Sequence, residues 1–176
     1  MDQRRPTWEA VREATGARTV LYPGSYTDVS PSFVFPDVTY VDMDRRCPGF
    51  FGDPDVARRL PNPFRFLRAD YRDPLDVDPV DLLISQYAGP ISHHCGHLVR
   101  PGGHLLVNNS HADAGIAALD PAWTLVAVVR GDRVSTDVDG YFEPKRAPHP
   151  PKEALIESQT GIAYTKTASN YLFERA

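Results

Sequence analysis

Residues 19–42 read TVLYPGSYTDVSPSFVFPDVTYVD. At one end Arg18 to Tyr22 (RTVLY) is a short β-rich run stopped by Pro23-Gly24, the pattern of a buried strand followed by a turn. At the other end Val38 to Val41 (VTYV) forms a second strand, which runs into the acidic Asp42-Met43-Asp44. Only a brief segment containing Pro31 and Pro36 lies between them.

The same grammar continues in both directions. Upstream, Pro6 to Thr15 places Trp8, Val11 and Ala14 near one helical face, with proline at the start and Gly16 after the end. Downstream, a helix over Asp53 to Leu60 precedes a third strand, Phe64 to Leu67. A linker rich in aspartate and proline then leads to a fourth strand, Val80 to Ser85. Ile91 to Val99 reads as a helix halted by Pro101-Gly102-Gly103, followed by a fifth strand, His104 to Asn108. A helix over Ala112 to Leu119, a sixth strand over Trp123 to Val129 and a closing strand over Asn170 to Arg175 complete the series. Alternating strands and helices imply right-handed crossovers. The expected fold is α/β, a doubly wound, mainly parallel seven-stranded sheet with a C-terminal antiparallel strand. Phe142 to Lys152 carries four prolines and is expected to be a loop.

A chain of 176 residues with 41% hydrophobic and 24% charged residues suits one folded domain over residues 1–176. No apolar run approaches the roughly 20 residues needed to cross a bilayer. The N-terminal stretch has arginines but no apolar core segment, so no membrane partner and a cytoplasmic location are expected. A net charge of −4 does not supply the basic field of a nonspecific nucleic-acid binder, and no nucleic-acid partner is expected. Cys47 and Cys95 are too few for a disulfide framework and read as free thiols.

Taken in order, four segments resemble the class I S-adenosylmethionine-dependent methyltransferases. TVLYPGSYTDVSPSFVFPDVTYVD looks like that family's first strand, cofactor loop and second strand. FLRADYRDP (66–74) is similar to its motif after the third strand, and VDLLISQYAG (80–89) to its fourth strand and active-site tip. LVRPGGHLLVN (98–108) resembles its Pro-Gly-Gly turn into the fifth strand. The resemblance implies S-adenosylmethionine as cofactor and methyl transfer to a small-molecule acceptor.

In open α/β sheets ligands sit beyond the carboxyl ends of the strands, where strand order reverses. Gly24 would there let backbone amides approach a ligand, and Asp42 could accept hydrogen bonds from both hydroxyls of a ribose. Asp70 could accept from an adenine amine, with Met43 and Tyr71 as apolar walls. The resemblance adds Tyr22, Ser25 and Tyr26 of the loop and Gln86 to the cofactor side. It leaves Tyr87, beside Gln86, on the acceptor-facing rim, with His93 as general base. Aspartates after strands also serve as helix caps, and His93 reads equally as an exposed helical histidine.

The loop departs from the family pattern. Where a glycine-rich run is usual, this chain has Tyr22-Pro23-Gly24-Ser25-Tyr26-Thr27-Asp28, with Tyr26 and Asp28 at the positions of later glycines. That departure opens an alternative, a catalytically inactive methyltransferase-like binding or assembly module. His93 and His97, four apart, would share a helical face and admit a zinc ion, but spacing specifies no third ligand and no metal is expected. Tyr141 and Lys145 spell a Tyr-x-x-x-Lys pair, which Pro144 prevents from forming on a helix.

Overall fold

The computed structural model describes residues 3–176. β1 (Thr19–Pro23) and β2 (Asp37–Val41) lie side by side and parallel, from Thr19 opposite Asp37 to Pro23 opposite Val41. Val20, Leu21, Tyr22, Val38, Tyr40 and Val41 are all buried, as a strand covered on both faces requires. The link between them contains no α-helix, only a 3-10 turn at Ser30–Phe33. That turn is pinned inward by Ser32, whose amide donates to the Tyr40 hydroxyl at 3.2 Å.

Six further strands extend this pair into one sheet: β3 (Phe64–Leu67), β4 (Val80–Ser85), β5 (Val99–Val107), β6 (Trp123–Arg130), β7 (Arg133–Ser135) and β8 (Asn170–Arg175). Their order is β3-β2-β1-β4-β5-β8-β6-β7. The first five run parallel, and β8 is wedged antiparallel between β5 and β6. The sheet therefore has eight strands where the sequence predicts seven. The addition, β7, pairs antiparallel with β6 and has one half-buried residue in Arg-Val-Ser, too little for a hydrophobic pattern to mark.

Chain direction along the sheet reverses between β1 and β4, because β2 and β3 lie on one side of that seam and β5 on the other. Alternate residues of each strand feed opposite faces. Val20, Tyr22, Leu82, Ile84 and Leu106 pack with Trp8 and Val11 of α1 (Arg5–Thr15). Leu21, Leu83, Leu105 and Val107 pack with Ile91 and Cys95 of α4 (Ile91–Cys95) and with Ala114 and Ala117 of α5 (Asp113–Ala118). The β2–β3 crossover holds α2 (Cys47–Phe51) and α3 (Pro54–Arg59), the latter capped by Asp53, whose side chain accepts from the Asp55 amide at 2.8 Å.

The helix predicted over Ile91 to Val99 is shorter than expected. It ends at Cys95, passes through a 3-10 turn at Gly96–Leu98, and gives way to β5 at Val99. Gly96 lies against Trp123, where a Cβ would come 3.1 Å from the ring. Pro101-Gly102-Gly103 is consequently no turn ahead of the strand but a bulge inside it. Val99 faces Val80 and His104 faces Leu82, so the extra residues of β5 loop out between two pairs. The proline-rich segment is irregular as predicted. It leads into an unpredicted helix, α6 (Lys152–Ser158), and is fastened by an antiparallel bridge between Pro144 and Tyr164.

Candidate active site at the strand tips

The carboxyl ends of β1, β2, β3 and β4 surround a cavity of about 340 Å³. Gly24, Asp42, Met43, Asp70 and Tyr71 line it, together with Ala69, Arg72 and Ala88. Five of the residues singled out from the sequence are thus brought together, and Ala88 and Arg72 join them.

Gly24 follows β1 with φ +65°, and a Cβ on it would lie 2.0 Å from the Ala88 Cβ. Its amide donates to the Val41 carbonyl at 2.8 Å. The glycine thus serves close approach between the β1 and β4 tips, and its own amide, expected to face a ligand, is committed to β2. Asp42 follows β2. Its Oδ1 accepts from the Asp44 amide and its Oδ2 from the Tyr26 amide, both at 2.8 Å. The Cys47 thiol also reaches this carboxylate, which with about four lone-pair sites keeps room for a further donor.

Asp70 follows β3 and is gripped by Arg72. The Arg72 amide donates to Oδ1 at 3.0 Å, and its Nε lies 2.9 Å from the same oxygen. Those hydrogen bonds hold the Asp70 carboxyl down to about 2, so it is ionised throughout the neutral range. Tyr71 donates its hydroxyl to the Ala88 carbonyl at 3.0 Å and closes the β4 side. Met43 is 60% exposed and offers its thioether chain to the mouth.

Other predicted site residues lie elsewhere. Tyr22 is buried in the core beside Tyr40, and burial pushes its phenol well above the usual range. Ser25 and Tyr26 line a neighbouring hollow of about 440 Å³ with Arg4, Asp28 and Phe33. Arg4 and Asp28 form an ion pair at 2.7 Å there. Tyr26 adopts φ +49° and carries the Arg46 guanidinium 4.8 Å above its ring. Gln86 is buried, with its Nε2 donating to the Ser85 carbonyl at 2.9 Å and to Asn170 Oδ1 at 3.0 Å. It ties β4 to β8, and its amide faces protein instead of the cavity. Tyr87 projects from the β4 tip, 74% exposed. His93 is exposed on α4 with its ring 4.9 Å from that of His94. His94, not His93, touches a cavity residue, through an edge contact with Tyr71 at 5.6 Å. Because α4 ends at Cys95, His93 and His97 do not share a helical turn. No group of three potential ligands is placed to hold a metal ion among the described residues.

Sequence reasoning missed Asp113. Fully buried at the start of α5, it accepts from the Ser92 amide at 3.1 Å and from the hydroxyls of Ser92 and Ser85. Burial without a cation pushes its carboxyl up to about 6. The three residues bind the β4 tip, α4 and α5 into one support beneath the rim. His111 and Ala112, just ahead of it, both adopt left-handed conformations, at φ +54° and +63°. The His111 Nε2 sits 3.2 Å from the Tyr87 carbonyl. Backbone strain in two successive non-glycine residues marks this edge of the sheet, and it is invisible in sequence.

No protein-family model matches the chain, and no curated protein matches it in sequence. Solved structures do. An O-methyltransferase from Bacillus cereus in complex with SAH is 12% identical with a TM-score of 0.59, over 75% of this chain and 76% of that one. The O-methyltransferase TomG from Streptomyces achromogenes, involved in tomaymycin synthesis and solved in complex with SAM, is 14% identical with a TM-score of 0.50, over 73% and 74%. The N-methyltransferase NodS from Bradyrhizobium japonicum WM9 overlaps less, at 16% identity and a TM-score of 0.45, and this chain spans 59% of its length. Among the described residues no helix is long and apolar enough to cross a membrane. Strand order, the reversal at β1 and β4, and the likeness to the two O-methyltransferases agree that the chain has the Rossmann-like fold of the class I methyltransferases.

Proposed function

We propose that the protein transfers a methyl group from S-adenosylmethionine to a small-molecule acceptor. The observation that carries this is the convergence of Asp42, Met43, Asp70 and Tyr71 on one cavity at the reversal point of the sheet. The residues fit an adenosine. Asp42 keeps acceptor capacity for a ribose hydroxyl, Asp70 is an ionised acceptor for an amine, and Met43 and Tyr71 flank the space a planar ring would take. The bound cofactor would supply an activated methyl group on a sulfonium, so alignment of the acceptor carries much of the catalysis.

On the acceptor side we place Tyr87, exposed at the β4 tip, with His93 as the base the sequence suggests. Neither lines the cavity, so turnover is the deciding measurement. His93→Ala and Tyr87→Phe are each expected to lower kcat, by about 10²-fold where a base is lost. Undiminished turnover removes the residue concerned from the reaction.

A second function, an inactive binding or assembly module, is favoured by one feature, the loop in which Tyr26 spends its amide on Asp42. Calorimetry separates the two. Micromolar binding of S-adenosylmethionine or S-adenosylhomocysteine, weakened about tenfold or more by Asp42→Ala, supports the enzyme. Absence of binding to either compound overturns it in favour of the module.

A further inference from the structure

The proline-rich insert holds a cavity of its own, of about 470 Å³, lined by Lys145, Arg146, Pro148, Pro150, Ile162 and Ala163. Its frame is fixed by short-range pairing. The Lys145 amide donates to the Ala163 carbonyl and the Thr165 amide to the Glu143 carbonyl, both at 2.9 Å. Beneath them Tyr164 is buried, with its ring against Phe142 and His149 and its hydroxyl 3.2 Å from the His149 Nε2. Prolines with fixed φ complete the wall, so the hollow exists before any ligand arrives and costs little ordering to fill.

Two cations, Lys145 and Arg146, stand in its lining. The protein carries a net charge of −4, and eight of its nineteen lysines and arginines form ion pairs among the described residues. Arg46 and Arg72 each grip the aspartate two residues before them. Lys152, the last residue of the insert, pairs with Asp120 at 3.0 Å, and Lys166 approaches Asp137. Lys145 and Arg146 form no ion pair among the described residues, although they adjoin an apolar floor, where a nearby counter-charge is attracted more strongly than in open water. Two cations above proline and isoleucine walls complement a ligand with an anionic end and an apolar body.

We propose that this insert binds a small organic carboxylate, its anionic group between Lys145 and Arg146 and its apolar body on Pro148, Pro150 and Ile162. The site goes beyond the proposed methyl transfer and does not depend on it.

Nuclear magnetic resonance titration of the full chain tests it, read at the Ile162 methyl and the Ala163 amide. Sodium benzoate is expected to give saturable shifts there. Benzamide, of the same shape without the charge, and inorganic phosphate, charged without the apolar body, should each bind about tenfold more weakly or worse. The double variant Lys145→Ala, Arg146→Ala should lose benzoate to the same extent. Both side chains are exposed and unpaired, so the variant keeps its fold, which its own unliganded spectrum verifies. Benzamide matching benzoate, phosphate matching benzoate, an unaffected double variant, or shifts confined to the strand-tip cavity would each overturn the proposal. The titration is run without S-adenosylmethionine, so failure of the cofactor assignment leaves the result unchanged.

Discussion

Asp113 is a carboxyl sealed in the protein with hydroxyls and an amide for company and no cation. Its folded value near 6 lies above an unfolded value of 3.8, so the native state binds more protons between those limits. Its contribution to stability is fully present below about pH 4 and is lost as pH rises through about 6. Asp113→Asn keeps an acceptor for Ser92 and removes the charge. Urea midpoints of the two proteins should therefore converge near pH 4, with the variant the more stable at pH 7. A constant difference across that range would show that Asp113 titrates normally. Nothing in the sequence announces this residue, because its partners Ser85 and Ser92 are brought to it only by the crossover. Gly24 and Asp42 are legible since each directly follows a strand and Asp70 since it lies three residues past one, and strand ends can be read from apolar runs. What those side chains hold was not, and the amide of Gly24 and both oxygens of Asp42 turn out to have protein partners.

Within β5, Gly103 carries the bulge. A Cβ there would meet the Val99 Cγ1 at 2.7 Å and the Arg100 carbonyl at 2.9 Å, and backbone cannot yield as a flexible side chain can. Gly103→Ala is expected to cost about 1–3 kcal/mol by overpacking, measured by denaturant unfolding. A neutral substitution would mean that the bulge can relax. Strands of this protein are legible because continuous apolar runs mark burial on both faces. Helices are less so, since all but α1 have seven residues or fewer, about two turns, too short for a 3.6-residue period to repeat. For that reason no period marks α2 or α6, the apolar pattern after β4 runs on past the true helix end at Cys95, and Pro-Gly-Gly has the look of a turn ahead of the strand.

Across the whole molecule, the sheet depends on β8. Tyr171, Leu172 and Phe173 are buried, and the strand they belong to supplies the hydrogen-bonding partner of β5 on one side and β6 on the other. A chain ending at Ser169 would leave two apolar strand edges unpaired across a gap. We expect it to lack a cooperative thermal transition and to associate, as circular dichroism and size-exclusion chromatography would show. A sharp transition in a monomeric truncated chain would refute this. Apolar runs make the strands of the parallel half legible even though the β1–β2 and β3–β4 links hold no α-helix, and they mark the closing strand, but its place between β5 and β6 is a matter of topology that pattern alone does not fix. The strand's position also has a consequence for biosynthesis. A ribosome delivers β1 to β7 first, with every residue of the strand-tip cavity already made, yet the slot that locks the two halves of the sheet stays empty until residues 170–175 have emerged. Until then the nascent chain shows open edges to its surroundings, where a strand of another chain could pair in place of the missing one.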